Sequence, residues 1–102
     1  MSFTDQAQRT LAMLALTPGW ARLQALRPDY EAATIAILLE AAAGFAETTL
    51  APLNAVGDRE GARLMDGRVR LPPGFADGFR RYAEDGWLGL DAPTRFGGQG
   101  LP

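Results

Sequence analysis

The stretch most like a ligand site is Gly97-Gly98-Gln99-Gly100, three glycines in four positions. Backbone amides in such a stretch can cradle a phosphate, best where a helix begins. This one has neither the G-x-G-x-x-G nor the G-x-x-x-x-G-K-[ST] spacing, and no strand leads into it. A tight turn is the favoured reading. Asp58, Glu60 and Asp66 offer carboxylates for a metal or for acid–base work. They lack calcium-loop spacing, and nothing in the sequence sets a second carboxylate opposite. They read as solvated loop charges with Arg59 and Arg63 as partners. Arg68, Arg70, Arg80 and Arg81 could clamp an anion. Asp66, Asp77, Glu84 and Asp85 stand among them, which predicts a surface of mixed sign. Trp20, Phe45, Phe79, Tyr82, Trp87 and Phe96 read as core rather than as a ligand stack. Ser2 is the only serine, and nothing is placed to activate it. No residue is therefore assigned a catalytic, cofactor-binding or metal-binding role.

The composition narrows the choice further. The 102 residues hold no cysteine and no histidine. That removes disulfide and thiol chemistry, the usual zinc sites, the Ser-His-Asp triad and the commonest general base. A net charge of −2 argues against nucleic acid as a partner, which would need a basic excess. All ten basic residues are arginine, a bias in keeping with a GC-rich genome. The first ten residues lack the basic start and apolar run of a signal peptide. The longest nearly uncharged stretch, Ala32 to Leu39, is short of the roughly 20 residues a bilayer demands. The expectation is one domain over residues 1–102, cytoplasmic, with no membrane and no nucleic acid as partner.

The elements that would position these residues are mainly helical. Thr4-Asp5-Gln6 can cap a first helix, with Ala7, Leu11, Leu14 and Ala15 at helical spacing. Thr17-Pro18-Gly19 breaks it. A short helix, Trp20 to Leu26, stops before Arg27-Pro28. The third helix runs from a cap at Asp29 to about Leu50, stopping before Pro52. One apolar face carries Ile37, Leu38, Ala41, Ala42 and Phe45, and a second carries Ile35, Leu39, Ala46 and Leu50. Glu40, Ala43, Gly44 and Glu47 leave a narrow polar stripe, the pattern of a helix packed on most sides. Ala51 to Gly61 reads as a loop with positive φ at Gly57 and Gly61. Asp66-Gly67 between alternating runs predicts a β-hairpin near residues 62–71. A last helix, Phe75 to Gly86, presents Phe75, Phe79, Tyr82 and Ala83 on one side, and an irregular tail follows. The expected fold is mainly α, with about four helices and one short hairpin.

One set of short motifs is ordered along the second half. Pro52-Leu53-Asn54, Gly57-Asp58-Arg59-Glu60-Gly61, Asp66-Gly67-Arg68-Val69 and Pro72-Pro73-Gly74-Phe75 are followed by Gly86-Trp87 and Gly97-Gly98-Gln99-Gly100-Leu101-Pro102. This order resembles the N-terminal domain of acyl-CoA dehydrogenases, closest to the large-subunit type acting on 3-methylmercaptopropionyl-CoA and related thioesters. The resemblance implies a helical N-terminal domain followed by a β-domain and a helical C-terminal domain. It implies FAD in the full-length parent and a glutamate that takes the α-proton of the acyl-CoA substrate. In the family that glutamate, and most FAD and CoA contacts, lie beyond the segment matched here. The resemblance thus carries no site residue onto this chain, which would not be catalytic alone. It makes the remaining domains of a parent enzyme the expected partners. Unpaired apolar faces would also make the isolated chain a homo-oligomer. The alternative is a free-standing helical interaction module that docks its apolar helix on a partner.

Overall fold

The computed structural model describes residues 1–102. Helix α1 spans Phe3–Ala15, α2 spans Trp20–Leu26, and a long helical run, α3, spans Ala32–Glu60. Strands β1 (Arg63–Met65) and β2 (Arg68–Arg70) form a hairpin, and α4 spans Phe75–Glu84. Two 3₁₀ turns, Trp87–Gly89 and Thr94–Phe96, lie in the tail. The expected mainly helical fold with one hairpin is found. The chain divides into two compact units, Met1–Thr48 and Thr49–Pro102.

In the first unit, α1 begins on Ser2. Its hydroxyl accepts from the Asp5 amide (3.0 Å), and the Asp5 carboxylate accepts from the Ser2 amide (3.0 Å). This reciprocal pair is a capping box that satisfies two free donors. The Ser2 amide, and then its hydroxyl, hold the Asp5 carboxyl below the usual carboxylate range. The cap is therefore Ser2 rather than the Thr4-Asp5-Gln6 stretch. Helix α3 starts at Ala32, with Glu31 as its cap residue, and not at Asp29. Asp29 is taken: the Arg27 guanidinium donates to both its oxygens, at 3.1 and 2.9 Å. That bond lowers the Asp29 carboxyl and raises the Arg27 guanidinium.

Helix α1 packs on α3. Ala7, Ile35 and Ala43 are its buried apolar residues, Ile35 only 2% exposed. The row Ile35–Leu39–Ala43 faces inward at i, i+4 spacing, which is one ridge of a helix surface. Two sequence expectations reverse here. Ala43, assigned to the polar stripe, is buried, and Ile37, assigned to an apolar face, is 69% exposed. A helix apolar on nearly every side gives no moment to choose its buried face, so the partner chooses it. Trp20 and Tyr30 meet edge to face, 6.3 Å between centroids at 60°.

The helix does not stop at Leu50. A π-helical turn, Ala46–Leu50, is followed by an α segment, Ala51–Glu60, with Pro52 in its first turn. The loop expected from Ala51 to Gly61 is therefore helix. Proline is tolerated in the first turn, where its missing donor is not needed. The wider π turn is where the run absorbs that lost bond. Thr48 assists, its hydroxyl donating to the Gly44 carbonyl (2.8 Å) and loosening the helix there. Gly57 is helical, while Gly61 ends the run at φ 63°. By length and composition alone, Ala32–Glu60 is long and apolar enough to cross a membrane, which counting the uncharged stretch to Leu39 did not show. The core helix of a soluble protein passes the same test.

In the second unit, close approach depends on glycine. A Cβ on Gly57 would lie 2.8 Å from the Phe75 ring. A Cβ on Gly74 or Gly78 would lie 2.8 Å from a Leu53 methyl. Leu53 and Phe75 thus lock the segment Ala51–Glu60 to the start of α4. Of the face expected on α4, Phe75 and Tyr82 are half-buried, whereas Ala83 is exposed and Phe79 is 63% exposed.

The two units leave much apolar surface bare. The chain exposes 7586 Å². Two separate folded bodies of half its mass would together expose roughly 6,700 Å². Met13, Leu16, Leu26, Ile37, Leu64 and Leu88 are among the large apolar side chains left in solvent.

Candidate functional site

The glycine turn is a closed structure. Glycines 86, 97 and 100 take positive φ, which lets the tail fold back on itself. The amides of Gly97 and Gly98 donate to the Thr94 and Pro93 carbonyls, at 3.0 and 3.2 Å. Gln99 donates to Gly89, Gly100 to Ala92 and Leu101 to Leu90, each at 2.9 Å. A Cβ on Gly98 would sit 2.0 Å from the Ala92 carbonyl oxygen. The glycine is there so that one backbone can touch another. Every amide from Gly97 to Leu101 is spent inside the chain, so the turn is no phosphate cradle.

The carboxylates do not converge. The Glu60 carboxylate lies 3.8 Å from the Arg59 guanidinium on the surface, and Arg63 Nε donates to the Glu60 carbonyl (3.3 Å). Asp66 sits in the hairpin turn at φ 51°. No group of three or more acidic side chains is close enough to hold a metal. Arg80 pairs with Asp77 one turn earlier on α4, and Arg81 and Glu84 share that shallow surface. This part of the arginine set is the mixed-sign surface expected. Among the aromatics, Trp20, Phe45, Tyr82 and Trp87 are half-buried. Phe79 and Phe96 are exposed, so the core reading fails for these two. The Arg95 guanidinium lies over the Phe96 ring, 4.7 Å from its centroid.

The hairpin gathers residues that the sequence reading kept apart. Asp66 and Gly67 both have positive φ, as a two-residue type I′ turn requires. The register pairs Arg63 with Arg70, Leu64 with Val69, and Met65 with Arg68. Side chains alternate along a strand. Arg63, Arg68 and Arg70 therefore share one face with Met65, and Leu64 and Val69 take the other. All six are exposed. None of the three arginines has an ion-pair partner, in contrast to Arg27, Arg59 and Arg80. The signal was present in the alternation about Asp66-Gly67. Grouping Arg68 and Arg70 with Arg80 and Arg81 by proximity in sequence hid it.

Comparison with known proteins gives one relative. The 3-methylmercaptopropionyl-CoA dehydrogenase of Ruegeria pomeroyi is 38% identical to the chain over 85 residues, 81% of this chain and 14% of that enzyme. The chain thus spans about a seventh of its relative's length. The resemblance to acyl-CoA dehydrogenases is borne out, and the share is consistent with an N-terminal domain. No family model matches the chain, and no solved structure matches it.

Proposed function

Because most of this chain is similar to a small part of an acyl-CoA dehydrogenase, we propose that it is the N-terminal helical domain of an FAD-dependent enzyme of that kind. The parent would dehydrogenate acyl-CoA thioesters between the α and β carbons in the cytoplasm. The share of the relative that is matched, 14%, carries this reading. The motif residues support it from a second side. Leu53, Gly57, Gly74 and Phe75 are packing residues, and Gly97 to Leu101 is a self-closed turn. They are what a scaffold needs rather than what a reaction needs.

The amides of the glycine turn, which could face a flavin's pyrophosphate, are spent within the chain. No chemical step is therefore assigned to this domain. Its task would be to present surface to the remaining domains of the parent. Bare apolar side chains such as Leu16, Leu26 and Ile37 would then be covered. Alone, the chain would associate with copies of itself. A free-standing interaction module rests on the same bare surface.

The test is to read the coding frame past the codon for Pro102. The result expected is several hundred further codons, β-rich and then helical, with a glutamate placed as base. An immediate stop would overturn the enzyme-domain reading and leave the interaction module.

A further inference from the structure

Two exposed surfaces carry charges without ion-pair partners, and their signs are opposite. The first is the outer face of α3. Ile37, Glu40, Ala41, Gly44 and Glu47 are exposed and stand three and four apart, so they share one side of the helix. Residues 32–58 hold no arginine or lysine, and neither glutamate is ion-paired. From α1 it is Gln8, an uncharged residue, that lines a small cleft with Glu40. The middle of this face is low. Gly44 has nothing within 4 Å of where a Cβ would stand. A glycine inside a helix costs stability, and no contact within the chain uses the space it leaves. The second surface is the hairpin face of Arg63, Arg68 and Arg70, with Met65 among them. Arg63 stands opposite Arg70, and like charges so placed destabilise a hairpin that is marginal to begin with.

We infer that the arginine face of one copy docks on the outer face of α3 of a second copy. Charge selects this pairing. Helix against helix would oppose carboxylates, and hairpin against hairpin would oppose guanidiniums. Only the cross-match sets each sign on its opposite. Spacing permits it. Glu40 and Glu47 are two turns apart, roughly 10.5 Å along the helix. Arg68 stands roughly 7 Å along the hairpin from the Arg63–Arg70 pair, and the long arginine side chains span the difference. Arg68 then meets one carboxylate, and Arg63 and Arg70 meet the other. Met65 settles over Ala41 and Gly44 beside Ile37.

The test is sedimentation of the 102-residue chain at rising concentration, with amide NMR to locate the contact. Association is expected at roughly 0.1–1 mM, the weak range of a few exposed ion pairs. Shifts should fall at residues 37–47 and 63–70. Raising salt from about 0.05 M to about 0.5 M should weaken it about tenfold. Two double variants separate the patches: Arg68→Glu with Arg70→Glu, and Glu40→Arg with Glu47→Arg. Each alone should associate at least tenfold more weakly than wild type. Their equimolar mixture should recover association, because each patch then finds its opposite on the other chain. Arg9→Glu with Arg22→Glu has the net charge of the first variant and should stay within about twofold of wild type. Unchanged melting by circular dichroism shows that the variants are folded, and the salt and shift measurements on wild type need no variant. Four results would each overturn the contact: a monomer at about 1 mM, shifts elsewhere, association indifferent to salt or to both double variants, or a mixture that stays apart. Association through bare apolar side chains would give the third of these. The contact does not depend on the enzyme-domain reading. A stop codon after Pro102 would sink that reading and leave the contact standing.

Discussion

Residues 1–48 are joined by side chains meeting side chains; residues 49–102 are joined largely where a glycine lets a side chain or another backbone come close. In the first unit the contact of α1 with α3 rests on Ala7, Ile35 and Ala43. Many neighbouring alanines and leucines could serve such a contact, and the sequence does not single these out. In the second unit, Gly57, Gly74, Gly78 and Gly98 each sit where a single Cβ would strike a neighbour. Packing of the first kind tolerates substitution of similar volume, whereas close approach does not. The motifs that carry the resemblance fall in the second unit.

The largest effect should come from Gly98→Ala. Its Cβ would meet the Ala92 carbonyl oxygen at 2.0 Å, and a backbone atom cannot turn aside as a side chain can. A loss on the order of 4 kcal/mol is expected, read as lost hydrogen-exchange protection at Gln99, Gly100 and Leu101. Retained protection at these amides would break the contrast between the units. Next is Ile35→Ala in the first unit, which should cost about 3 kcal/mol through the cavity left beside α1. Urea unfolding followed by Trp20 fluorescence measures it.

A pair of alanine substitutions sharpens the comparison. Gly57→Ala presses on the Phe75 ring at 2.8 Å, and because a ring can shift, the cost should be about 1–2 kcal/mol. Gly44→Ala has open space around it and should stabilise α3 by roughly 0.5–1 kcal/mol. Melting curves of the two proteins should move in opposite directions.

The smallest effect concerns the α1 cap. Ser2→Ala should cost about 1 kcal/mol of helix stability, seen by circular dichroism. The Asp5 carboxyl is held below its ordinary value in the fold. Its contribution is therefore complete above the ordinary carboxylate pKa and is lost as pH falls through the lowered one. Wild type should lose helicity on acidification in that window, and Ser2→Ala should lose less. Equal acid slopes would show that the capping box carries no linkage.

What the sequence made legible follows the same division. The hairpin was readable because Asp-Gly is one of few pairs that enter a type I′ turn without strain. The short helix α2 and the positive φ of Gly61 were readable from proline and glycine. The continuation of α3 through Pro52 was not. A proline that ends one helix and a proline that opens the next segment look alike until the π turn before it is seen. Of the inward row Ile35–Leu39–Ala43, Ile35 and Leu39 were legible as one apolar face, while Ala43 was hidden because apolar residues stand on every side. The arginine face was hidden because register, and not nearness along the chain, groups Arg63 with Arg68 and Arg70.

The two-residue turn at Asp66-Gly67 also gives the hairpin a parity. With side chains alternating, a one-residue slip of β2 against β1 would hand its arginines to the aliphatic side and Val69 to the charged one. A residue added to the turn flips the sides only if the pairing slips with it; taken up as a bulge in a three-residue loop, it leaves Arg63 opposite Arg70.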